Sequence, residues 1–190
     1  MSRIPTHTVE DAPVASRPFL QEIAQASPTG RPLNLHAQMA HSAAVLAAYT
    51  SLRAVTTEHG TLDPKVSWAL NLATAAVVGN DYMIGIATRF ARMRGWDEAQ
   101  IVALRTGATT GDARVDALTR VVGEAAAHSG TVADATWKAA KHAGWSDEQL
   151  VEAFAYLGLT VFTGYFLNYA QTDSDVRLSS MKNRIDNDLC

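Results

Sequence analysis

The sequence predicts an all-α protein, and three observations carry that reading. Apolar residues recur with a 3.6-residue period along most of the chain. Capping and breaking residues punctuate these runs where helices should start and stop. One helix-to-helix corner occurs twice: Gly95 to Val102, GWDEAQIV, returns as Gly144 to Val151, GWSDEQLV. We expect about eight helices in two related helical units. Residues 1–17 form an extended N-terminal arm, and residues 18–190 form one helical domain.

The arm is rich in Pro, Thr and Ser and should pack along its own domain or a neighbouring subunit. A short helix over Phe19 to Ala26 ends at the turn Ser27 to Gly30, and a second runs from Leu33 to His41. Ser42 caps a long helix, Ala43 to Glu58, with Val45, Leu46, Tyr49, Leu52 and Val55 as its apolar stripe. The central stretch, Leu62 to Gly107, reads as three helices joined by tight turns. Asp63 caps the first, and Pro64 takes its first position, where a missing N–H costs nothing. Gly79 breaks that helix. Asn80 caps the next, whose inner face carries Met83, Ile84, Ala87 and Phe90 or Ala91. Gly95 stops it and Asp97 opens the third. Further on, Gly111-Asp112 starts a helix through Ala127, and Thr131 should cap another over Val132 to Ala143. Ser146 and Gln149 make a capping box for the last helix, Asp147 to Ala170.

Composition bounds the function. The 190 residues suffice for a sizeable core, and a net charge of −3 leaves no basic footprint for nucleic acid. No run reads as a membrane span and no signal-peptide core precedes the domain, so a cytoplasmic protein is expected. The single cysteine, Cys190, cannot run a dithiol–disulfide cycle by itself. The six histidines are scattered without metal-ligand spacing, and no phosphate loop is present, so neither metal nor cofactor is expected.

The segments LDPK (62–65), GNDYM (79–83) and RGWDEAQI (94–101), with NLHAQMAHSAAVLAAY (34–49) before them, resemble the carboxymuconolactone decarboxylase superfamily, the alkylhydroperoxidase D-like proteins. The closing helix, through Tyr165, Asn168 and QTDSD, is similar to that family's last helix. The resemblance covers nearly the whole chain and is loose before Leu33. It implies an alkylhydroperoxidase D-like helical fold and a homo-oligomer (dimer, trimer or hexamer). The family's thiol relay of Glu, Cys, Cys and His falls on Trp68, Asn80, Met83 and Ala87, so all four positions are replaced. In the last helix the family's His and two Asn fall on Tyr156, Thr160 and Gly164.

By that resemblance a pocket lies where the helix bearing Trp68 meets the start of the helix bearing Asn80, Met83 and Ala87. Residues 80, 83, 84 and 87 share a helix face, so the pocket walls would be largely apolar. Tyr82, Tyr156, Tyr165 and His36 are the candidate acid–base groups. Two readings follow. One is a cofactor-independent, non-redox enzyme acting on an apolar small molecule by decarboxylation, isomerisation or cyclisation. The other is an inactive descendant serving as a ligand-binding, scaffold or regulatory subunit, in which the same side chains simply fill a core.

Overall fold

A computed structural model describes residues 2–175. Among these residues there are nine helices: α1 (Arg17–Ala26), α2 (Asn34–Met39), α3 (Ala43–Glu58), α4 (Pro64–Val78), α5 (Asp81–Met93), α6 (Glu98–Thr106), α7 (Ala113–Ala127), α8 (Asp134–His142) and α9 (Asp147–Ala170). A 3-10 turn, Val14–Ser16, leads into α1. The all-α class is therefore observed, with one helix more than expected among the described residues. The lone thiol, Cys190, lies outside the described residues.

The bounds follow the caps. Ser42, Asp63, Asn80, Asp97, Asp112 and Ser146 each accept a backbone N–H from the first turn of their helix. Asp97 with Gln100 and Ser146 with Gln149 form complete capping boxes. Two expectations fail. Helix α8 begins two residues late, and Thr131 does not cap it. The Glu124 carboxylate accepts the Ala133 N–H instead, 2.8 Å away, so the cap comes from α7. Val55, assigned to the inner stripe of α3, is 45% exposed because α3 packs through Leu46 and Tyr49 at full depth.

Helix α4 sits at the centre. Residues Ser67 and Ala69 to Ala75 are all buried, so it is covered on every side. It packs on α5, α6, α7 and α9. Ala69, Leu72 and Ala75 enter one core with Leu35, Leu46, Met83 and Ile101. Leu70 and Ala73 enter a second with Leu118, Val122, Leu150 and Leu157. Against α9 the fit is close: a Cβ on Gly164 would stand 2.7 Å from Val78 Cγ1. One level down, Thr160 Oγ1 and Asn71 Oδ1 make a buried hydrogen bond of 3.1 Å between the same two helices. The two departures at 160 and 164 are thus part of the α4–α9 contact.

The repeated corner has a common geometry. Trp96 donates its indole N–H to the Lys65 carbonyl at 2.8 Å, and Trp145 donates to the Arg114 carbonyl at 2.7 Å, with 31 residues between the partners in both cases. Lys65 and Arg114 each cover the indole they serve with a cation, 4.6 and 4.1 Å from the ring centre. Gly95 and Gly144 turn the chain at positive φ before each tryptophan. The units α4–α6 and α7–α9 are related in structure as they are in sequence.

The N-terminal arm lies on its own domain. Arg3 N–H bonds the Ala170 carbonyl, Gln38 bonds the Ile4 carbonyl, and His7 N–H bonds the Ala37 carbonyl. One expectation needs correction: α9, 24 residues long, is apolar enough by length and composition to cross a membrane. Its inward side packs on α3, α4, α5 and α7.

Because the two corners are equivalent, Trp96→Phe and Trp145→Phe should each cost about 1–3 kcal/mol, the penalty of a buried carbonyl left without its donor. Denaturant midpoints for the two variants should fall by similar amounts, and a loss confined to one of them would contradict the equivalence.

Candidate functional site

The four positions that the resemblance assigns to the thiol relay are occupied by packing. Asn80 Oδ1 accepts the Met83 N–H at 3.0 Å, and its Nδ2 donates to Asn168 Oδ1 at 2.6 Å. That side chain is committed to capping α5 and tying it to α9. Met83 and Ala87 are 7% and 0% exposed and belong to the first core. Trp68 is half-buried and stacks on Phe90, with ring centres 4.3 Å apart and planes inclined by 13°.

The four candidate acid–base groups divide. Tyr165 is 61% exposed on the outer side of α9, so it does not face this region. Tyr156 lies in the second core, where its hydroxyl donates to the Thr56 carbonyl at 3.2 Å. His36 and Tyr82, by contrast, come together around the N-terminal end of α2. Tyr82 is buried and its hydroxyl donates to Asp175 Oδ1. Asp175 Oδ2 accepts the Asn34 N–H at 2.9 Å, supplying the cap that Leu33 cannot give α2. His36 Nε2 and the Tyr49 hydroxyl are 3.1 Å apart.

His36 is 6% exposed, and its Nδ1 is buried with no hydrogen-bond partner. Burial lowers its pKa to about 4, helped by the positive charge of Arg53 and opposed by Asp175. The ring is therefore neutral at pH 7. Burial raises the Tyr49 pKa, and Arg53 pulls it back. Burial also raises that of Tyr82, with its hydrogen bond to Asp175 and the charge there acting in the same direction. Nothing in the sequence singles out Tyr49, Arg53 or Asp175. Tyr49 falls in an apolar stripe and Asp175 in a charged tail, and no local signal distinguishes either.

A cleft of about 300 Å³ opens elsewhere, between α4, α6 and α7. Val77, Arg105, Thr106, Arg120, Gly123 and Glu124 are among its lining residues. Val77 points from the side of α4 opposite Trp68, so the cleft is not the pocket expected beside α5. Among the described residues no group of three or more His, Cys, Asp or Glu is placed to hold a metal ion.

The fold defines an alkylhydroperoxidase D-like helical protein. It superposes on the alkylhydroperoxidase D core of an uncharacterized peroxidase-related protein from Ralstonia eutropha JMP134, with a TM-score of 0.77, 17% identity and 92% of each chain covered. An uncharacterized peroxidase-related protein from Silicibacter sp. TM1040 gives a TM-score of 0.71 at 15% identity over 91% of this chain and 94% of its own. The debrominase Bmp8 gives 0.71 at 12% identity over 85% and 87%. No curated protein matches the sequence. Residues 43–124 match the model of the carboxymuconolactone decarboxylase family.

The buried ring has a consequence for stability. A histidine whose folded pKa lies near 4 against an ordinary 6.5 binds its proton more readily when unfolded. Its contribution is constant above pH 6.5, is lost as pH falls towards 4, and levels off below. The loss should reach roughly 3 kcal/mol. His36→Gln should remove that part of the slope, as read from urea midpoints across the same pH range.

Proposed function

We propose that this protein is a cofactor-independent, non-redox enzyme that moves a proton on a small, largely apolar molecule, in a decarboxylation, isomerisation or cyclisation. The observation that carries the reading is the partnerless Nδ1 of His36. A buried polar atom without a hydrogen bond costs stability, and such costs are tolerated where the group is needed for something else. When Nε2–H is donated to the Tyr49 hydroxyl, Nδ1 keeps a free lone pair and can accept a proton. Tyr49 fixes the ring, and Arg53 beside it stabilises developing negative charge. An anionic substrate group next to the ring would raise its pKa from about 4 towards the working range. Core residues of α2 and α3 such as Leu35, Met39 and Leu46 supply apolar surroundings, and Tyr82, kept protonated, donates to the Asp175 carboxylate that caps α2.

Access to the ring requires α2 to part from α3. At six residues, α2 is short enough for such local opening to be inexpensive. Small heteroaromatic compounds are the ligand class to try first, because a variant of the debrominase of the same fold forms a complex with 2,3,4-tribromopyrrole. Thiol peroxidase chemistry has no support: Asn80 and Met83 stand where the resemblance puts its cysteines.

A second reading is favoured by a separate observation. Trp68 on Phe90, and Met83 with Ala87 in the core, fill the old relay face as a scaffold would. The protein would then be an inactive ligand-binding or regulatory subunit.

The test is a thermal-shift screen of small heteroaromatic and aryl carboxylic acids, followed by turnover of the hits by the wild type, His36→Gln and Gly123→Phe. The proposal expects kcat/KM to fall about 10²–10⁴-fold in His36→Gln and to survive in Gly123→Phe. Loss through Gly123→Phe alone would move the site to the α4–α6–α7 cleft. Binding without turnover in any form would favour the inactive subunit.

A further inference from the structure

We infer that the cleft between α4, α6 and α7 is a binding site for a small carboxylate with an apolar body, separate from the region beneath α2. The cleft measures about 300 Å³, within the range of sites that hold small molecules. Ala73, Ala76 and Val77 from the last two turns of α4, with Leu104 of α6, give it an apolar wall. Arg105 at the end of α6 and Arg120 in the middle of α7 bring a guanidinium from each of the other two helices. An apolar wall beside two such groups suits a ligand with one anionic end.

The charges around the cleft are not equivalent. Asp116, Arg120 and Glu124 follow one another at four-residue intervals along α7, the spacing at which helical ion pairs form. Here neither carboxylate pairs with the arginine. Asp116 Oδ1 accepts the Thr110 N–H at 2.9 Å and the Thr110 hydroxyl at 2.6 Å, holding the loop before α7. Glu124 Oε1 accepts the Ala133 N–H at 2.8 Å, holding the loop after α7, and its carboxylate also takes a hydrogen bond from Thr136. Both acids are committed to loop donors, and Arg120 makes no hydrogen bond or ion pair among the described residues. A guanidinium is planar and offers its donors in pairs, the arrangement that a carboxylate matches.

Gly123 keeps the cleft open. It lies inside α7, three residues after Arg120, where glycine costs stability relative to alanine. A Cβ there would meet nothing within 4 Å, so no atom of the chain requires the glycine. Gly164 is different, because its missing Cβ makes room for Val78. Gly123 lines the cleft, and a side chain at 123 would project into it and narrow it. Two other occupants fit less well. An ammonium group would meet two guanidinium charges, while the acids that could receive it are engaged elsewhere. A wholly apolar molecule would cover Arg120 without giving it an acceptor, which costs affinity.

The test is a ¹H–¹⁵N titration of the full chain with 4-phenylbutanoate, 4-phenylbutanamide and 4-phenylbutylamine. The carboxylate should shift the Thr106, Gly107 and Gly123 amides with a Kd below about 5 mM, the scale for a ligand of this size. The amide and the amine should bind at least about tenfold more weakly. Arg120→Gln should weaken the carboxylate about tenfold and leave the amide unchanged. Gly123→Leu should keep its helicity and abolish binding, and Arg120→Gln decides the matter if Gly123→Leu unfolds. His36→Gln should bind as the wild type does, which separates this inference from the function proposed above. No shift at about 10 mM carboxylate overturns the inference, as does an amide or amine that binds equally well. So do shifts confined to α2 that vanish in His36→Gln, because the ligand then sits beneath that helix.

Discussion

The structure depends on one helix whose middle is buried on every side. Residues Ser67 and Ala69 to Ala75 of α4 are buried, so the helix is stable only when α5, α6, α7 and α9 all lie against it. That requirement explains why both cores run through it, and why its contact with α9 is tight enough to need Gly164 opposite Val78. It also explains the two tryptophan corners. Each holds the start of a central helix, α4 or α7, by a hydrogen bond from an indole N–H to a first-turn carbonyl under a cation. The duplicated unit uses the same device once on α4 and once on α7, the helix that packs most extensively against it.

The fold is largely legible in the sequence because its signals are local. Caps at Ser42, Asp63, Asn80, Asp97 and Ser146 act within one turn of the helix they open, so reading them needs no tertiary knowledge. Where a long-range partner replaces the local one, the reading fails. Glu124 on α7 takes the place of Thr131 at α8, and Asp175 closes the end of α2. The duplicated GW corner is legible as well, although the carbonyls that serve the two indoles lie 31 residues upstream of them.

The site is legible only in part. His36 stands out as a titratable group where an apolar residue is expected, Tyr82 is ordinary in its frame, and the two meet through Asp175. Their partners Tyr49, Arg53 and Asp175 arrive from α3 and from the segment after α9, which periodicity cannot bring into register with α2. Tyr165 faces outward because α9 is apolar on both sides, leaving no polar face to show which way a tyrosine points. The same two-sided character separates α9 from an ordinary surface helix. Trp68, Asn80, Met83 and Ala87 form the mostly apolar set that their residue types indicate, yet stacking, capping and core packing hold them where a pocket is expected.

The measurement that tests the account most directly is the protonation of the His36 ring, followed by ¹⁵N imidazole shifts in the wild-type protein from pH 8 downwards. If the ring is held as described, it stays neutral through pH 6.5 and titrates only near pH 4, with Nε2 bonded to Tyr49 and Nδ1 unshared. An ordinary titration near 6.5 would mean that the ring is solvated and that no free proton acceptor is stored beneath α2.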